Sequence, residues 1–183
     1  MSRHVALALA GALVCAQADA QADAQPKPIQ AALAEFMPEP GPLRLYSTSG
    51  EVAVSIPVSP RLELTDATLH LELTNSISLI KGRSHIVVVL NDRTLAQLPL
   101  NADQPEMAAD VTLPIAQLKP GYNKLTLRVN QHYSTDECED RSAPELWTEI
   151  DAQKSTVTLL GDYKPLNPRL SELGDIIDVK LWN

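Results

Sequence analysis

Side chains able to do chemistry are concentrated in one stretch, His132 to Trp147, which holds an imidazole, a phenol, a thiol, a run of carboxylates and an indole. A pyranose offers an apolar face and hydroxyl edges. Trp147, Tyr133 and the more distant Tyr122 are therefore candidates to stack on sugar, with Asp136 and Glu139 as acceptors for its hydroxyls. Aromatic residues make up only 4% of the chain, so few other positions can do this work. A plainer reading uses the same residues. Trp147 and Tyr133 would pin the two ends of the loop into the core, each burial worth roughly 1.5 to 3 kcal/mol. The acids Asp136, Glu137, Glu139 and Asp140 would then keep the loop solvated, or accept bonds from backbone N–H groups or from Arg141. Both readings stay open at this stage.

Other chemistries fit less well. Calcium wants six to eight oxygen ligands, and the acids lack EF-hand spacing. His132 and Cys138 have no second close pair to complete a zinc site. A glycosidase needs two carboxylates roughly 5 to 9.5 Å apart across a cleft, and crowding in sequence says nothing of that geometry. Neither a Ser-His-Asp order nor a glycine-rich phosphate loop stands out. The expectation is a non-catalytic chain without a cofactor.

Composition narrows the field further. With 183 residues, 44% apolar and 21% charged, the chain can enclose one ordinary core. Its 23 acidic and 15 basic residues give a net charge of −8, with no basic run to offset it, so nucleic acid is not an expected partner. At the N-terminus, Arg3 and His4 precede an apolar run from Val5 to Val14, and Ala18-Asp19-Ala20 offers a cleavage site. Residues 1–20 are thus expected to be a secretory signal peptide, the run being far shorter than the ~20 residues that span a bilayer. Val14 is a poor residue to precede a lipidated Cys15. Removing residues 1–20 takes away Arg3 and Asp19, leaving the charge unchanged, and Cys15, leaving Cys138 as the only thiol. Cys138 is then either buried as a small apolar residue or paired with another molecule.

The elements that must position these residues read mostly as strands. Residues 21–42, rich in Gln, Ala and Pro, read as a tether, with one short helical turn within Gln30–Met37. From Leu43 the apolar period becomes two: Val52, Val54, Ile56 and Val58, then Leu69, Leu71 and Leu73. His85–Leu90 is apolar on both faces and is predicted to be a central strand that turns at Asn91-Asp92 and pairs with Leu95–Leu100. Pro120-Gly121 fits the middle of a type II turn before Lys124–Asn130, in which Leu125, Leu127 and Val129 face inward and Lys124, Thr126 and Arg128 face water. Ser155–Leu160 is the last clear strand. About eight short strands with no core-forming helix predict an all-β antiparallel β-sandwich or jelly roll over residues 43–165. Residues 166–183 form a tail whose Ile176, Ile177, Leu181 and Trp182 call for docking or for a following domain.

The grouping His132-Tyr133, Asp136-Glu-Cys-Glu-Asp140 and Trp147, preceded by Val88-Val-Leu-Asn91, Leu98-Pro-Leu100 and Asn123-x-Leu125, resembles the first domain of the periplasmic B subunit of bacterial cellulose synthase. The resemblance covers about residues 43–165. It implies a carbohydrate-binding-type jelly roll in the periplasm that helps guide a β-glucan polymer from an inner-membrane cellulose synthase catalytic subunit. The family is often labelled a cyclic di-GMP-binding regulatory subunit, although the acidic balance here offers no support for a dinucleotide pocket. Family members continue through flavodoxin-like domains, a second jelly roll and a C-terminal membrane helix that anchors them in the inner membrane. None of these fits after residue 165, so the chain is expected to be that first domain alone, as a fragment or a short protein.

The leading expectation is a domain that binds or guides β-1,4-glucan, with possible self-association. A rival from another class is a structural assembly module whose loop from His132 to Trp147 meets a neighbouring subunit and never touches sugar. A weaker third is a calcium-dependent hydrolase.

Overall fold

A computed structural model of the chain describes residues 28–39, 41–136 and 138–165. The proposed signal peptide, the start of the tether, Glu137 and the tail from Leu166 lie outside the described residues.

The predicted all-β sandwich is present, built among the described residues from ten strands in two antiparallel sheets. The larger sheet is organised on β4 (Leu62–Asn75). One edge of β4 carries β7 (Glu106–Thr112). Its other edge is shared by β10 (Thr156–Tyr163) along the N-terminal part and by β9 (Trp147–Ile150) at the C-terminal end. Beyond these lie β1 (Ile29–Ala32), paired with β10, and β2 (Leu43–Tyr46), paired with β9. The smaller sheet runs β3 (Glu51–Val58), β8 (Gly121–Asn130), β5 (His85–Leu90) and β6 (Arg93–Pro99).

Strict alternation makes each inner face. Leu69, Leu71 and Leu73 of β4 meet Ile56 of β3, Leu125 and Leu127 of β8 and Ile86 of β5 in one core. Burying such side chains is worth roughly 1.5 to 3 kcal/mol apiece, which sets the register firmly, since a slip by one residue would expose the whole row. β5 does lie inside its sheet, and its hairpin to β6 turns on Asn91 and Asp92 with φ of 47° and 67°, as a type I′ turn requires. Gly121 follows Pro120 with φ of 90°, the left-handed value that a type II turn needs there.

Two expectations change. Part of the stretch read as a tether belongs to the sandwich: β1 pairs with β10, and Leu33 is fully buried in a short 3-10 turn held by its N–H to Ser155 O at 2.9 Å. Alanines fill this strand, so it shows no apolar period, and its order comes from β10. Thr126 is buried although its parity on β8 points it outward. It sits mid-sheet between Ala53 and Val89, whose strands shield it on both sides.

Candidate functional site

The loop after β8 is ordered from beneath by its acids. The Glu139 carboxylate accepts the Tyr133 N–H at 2.7 Å, the Ser134 N–H at 3.1 Å and a bond from His132 Nδ1 at 2.6 Å. Burial works against its charge, but these donors outweigh that cost and hold the Glu139 carboxyl below its ordinary range. Asp140 is likewise held low by the N–H and hydroxyl of Ser142. Backbone bonds join the loop to the body: Ile80 N–H donates to His132 O at 2.7 Å, and His132 N–H to Ser84 Oγ at 3.0 Å. The apolar anchor at its far end is Leu146, fully buried, one residue before the expected Trp147.

That one-residue difference turns Trp147 outward. In β9 the buried positions are Thr148 and Ile150, while Trp147 and Glu149 lie on the outer face. A threonine can face the core here because Gln131, itself fully buried, meets it. Thr148 Oγ1 donates to Gln131 Oε1 at 2.8 Å, and Gln131 Nε2 donates to Ser47 O at 2.8 Å. The two ends of the amide thus tie β9 to the end of β2.

Across the ladder, Tyr46 stands opposite Trp147, and Arg44 opposite Glu149. Directly opposed residues have Cβ atoms roughly 4.5 to 5.5 Å apart, so the two rings are side by side. Arg44 Nε donates to the Glu149 carboxylate, and both Tyr46 and Glu149 stabilise the guanidinium charge. Together the four residues line a groove of about 310 Å³, with Tyr46 54% exposed. Gly50 permits this local fold: a Cβ there would lie 2.4 Å from Tyr46 O. Farther along the same outer face, His70 Nδ1 lies 2.6 Å from Asp110 and its Nε2 3.6 Å from Glu72; the Asp110 bond above all raises its pKa.

The structure does not gather the sequence candidates in one place. Trp147 lines the groove. Tyr133 is partly buried against the core, and Glu139 is committed beneath the loop. Asp136 is exposed on the loop, its N–H donating to Ser134 Oγ. Tyr122 is 64% exposed at the start of β8, the whole ten-residue strand away from the loop, roughly 25 to 30 Å at ~3.3 Å per residue. Cys138 is exposed and unbridged. Tyr46, Arg44 and Glu149 escaped the sequence reading. Their signal lay in the alternation Leu43-Arg-Leu-Tyr46, which puts Arg and Tyr on one face. Among the described residues, no group of three or more His, Cys, Asp or Glu is placed to hold a metal, and no helix is long and apolar enough to cross a membrane.

Two antiparallel sheets packed face to face, with hardly any helix among the described residues, make this a β-sandwich module. The chain belongs to the family described as "Cellulose synthase BcsB, first CBM domain", which it matches over residues 28–162, a span that takes in β1. That family is periplasmic, associated with the inner membrane, and non-catalytic. A cyclic di-GMP-binding protein of Xanthomonas axonopodis pv. citri (strain 306) is 34% identical over 114 residues, covering 62% of this chain and 14% of the relative. One of the same name from Escherichia coli (strain K12) is 29% identical over 137 residues, covering 73% and 18%. The chain therefore spans less than a fifth of the length of these relatives. A family 35 carbohydrate-binding module from an environmental isolate superposes with a TM-score of 0.39 at 18% identity, over 66% of this chain and 76% of that one.

Proposed function

We propose that this domain is a non-catalytic, glucan-binding part of a periplasmic cellulose synthase assembly, guiding β-1,4-glucan as it leaves the catalytic subunit. The contact face in this reading is the outer side of β2 and β9, not the acidic loop. The observation that carries it is the in-register pair of exposed Tyr46 and half-buried Trp147 beside Arg44–Glu149, on the outer face of a chain of this family. Rings supply the stacking surface and the ion pair supplies both donors and acceptors for hydroxyls. The nucleotide in the relatives' name is not assigned to this domain. The groove's one cation, Arg44, is already matched by Glu149, and the chain carries −8.

Calorimetric titration of the full chain with cellohexaose tests this. Tyr46→Ala and Trp147→Ala are expected to weaken binding at least tenfold, and Asp136→Asn to leave it unchanged. Loss of binding in the Asp136 variant, with the two aromatic variants unaffected, would move the site to the loop.

A further inference from the structure

Trp147 lines a second groove on its other side, a larger one of about 500 Å³ that runs past Asn75, Ile77, Pro105, Pro144 and Glu145. We infer that the two grooves form one track with Trp147 at its midpoint, and that the track takes an extended, uncharged β-glucan chain and not a single sugar or chain end. This rests on the glucan reading above and adds the extent and polarity of the ligand.

Geometry supports the continuity. Tyr46, Trp147 and Ser76 sit on or beside three neighbouring strands: Tyr46 pairs with Trp147, and the Ser76 N–H donates to Trp147 O at 3.1 Å. At roughly 4.8 Å per strand, the backbones alone spread the track over about 10 Å across the sheet, and the side chains extend it at both ends. Large apolar side chains are held in water on both sides of the indole, Tyr46 at 54% and Ile77 at 75% exposure. A run of pyranose rings offers each of them an apolar face.

Polar groups follow the same division. On one side stands the Arg44–Glu149 pair. On the other stand Ser78 and Glu145, both exposed along the second groove. Charge sets the ligand's polarity. Arg44 is matched by Glu149, and the second groove is lined by Glu145 with no basic residue, so an acidic glycan would gain nothing and be repelled.

The test is calorimetry on the full chain with cellobiose, cellotetraose, cellohexaose and a galacturonic acid hexamer. Affinity is expected to rise at least tenfold from cellobiose to cellohexaose, with the acidic hexamer at least tenfold weaker than cellohexaose. Ile77→Ser, a change at an exposed position, is expected to lower cellohexaose affinity about fivefold and leave cellobiose unchanged. Equal affinities for cellobiose and cellohexaose, or no effect of Ile77→Ser on cellohexaose, would reduce the site to a single groove. Equal binding of the acidic hexamer would overturn the preference for uncharged chains. If no cello-oligosaccharide binds at all, the glucan reading itself fails, and the track with it.

Discussion

The two ends of β8 each hold a buried amide, and they use it differently. At the start of the strand, Asn123 Oδ1 accepts from Asn91 Nδ2 at 2.8 Å and from Lys119 N–H at 3.0 Å, and its Nδ2 donates to Lys119 O at 2.8 Å. That network clamps the β5–β6 hairpin turn to the turn before β8, and the one large ring beyond it, Tyr122, stands on the other sheet from Trp147. Just past the other end, Gln131 bridges Thr148 and Ser47, the neighbours of Trp147 and Tyr46. Buried amides are costly unless satisfied, and both are satisfied. What differs is the cargo: one amide closes turns, while the other sets the spacing of a paired aromatic surface.

Replacing both amides is the strongest way to break this comparison. Asn123→Leu and Gln131→Leu should each cost roughly 2 to 4 kcal/mol in urea unfolding, because each orphans buried partners. Only Gln131→Leu should weaken cellohexaose in molecules that remain folded; equal losses of binding would show that the two ends play the same part.

A smaller effect sharpens the role of the loop. Glu139 has a folded pKa below its ordinary 4.5, so its contribution to stability is complete above that value and is lost as pH falls through the folded one. The urea midpoint of the native chain should therefore drop between pH 5 and pH 3 by more than that of Glu139→Gln, with the two curves converging at the acid end. The smallest effect is expected at Tyr122→Ala, within about 0.5 kcal/mol in stability and with glucan affinity unchanged, since the ring is exposed and far from the groove.

Much of the sandwich was legible because its strands alternate cleanly, as Val52 to Val58 and Leu69 to Leu73 do, and because Asn91-Asp92 and Pro120-Gly121 have few other uses. β9 was not legible. Its first pair inverts the usual polarity, Thr148 inward and Trp147 outward, and Gln131, seventeen residues before Thr148, makes that tolerable. β1 was missed for a related reason, since a strand of Ile-Gln-Ala-Ala is specified by the ladder of β10 rather than by its own period. The acidic loop attracted notice as a run of chemistry-bearing residues, yet Glu139 is turned under the loop to organise it. Arg44, Tyr46 and Glu149 were overlooked because they fall in two short strands a hundred residues apart that meet only in the sheet.

The most direct test follows the fluorescence of Trp147 alone, in a full-length Trp182→Phe chain titrated with cellohexaose. A saturable change in intensity and a shift in emission are predicted, both abolished by Tyr46→Ala. An unchanged spectrum up to millimolar cellohexaose would contradict the assignment of this face to glucan.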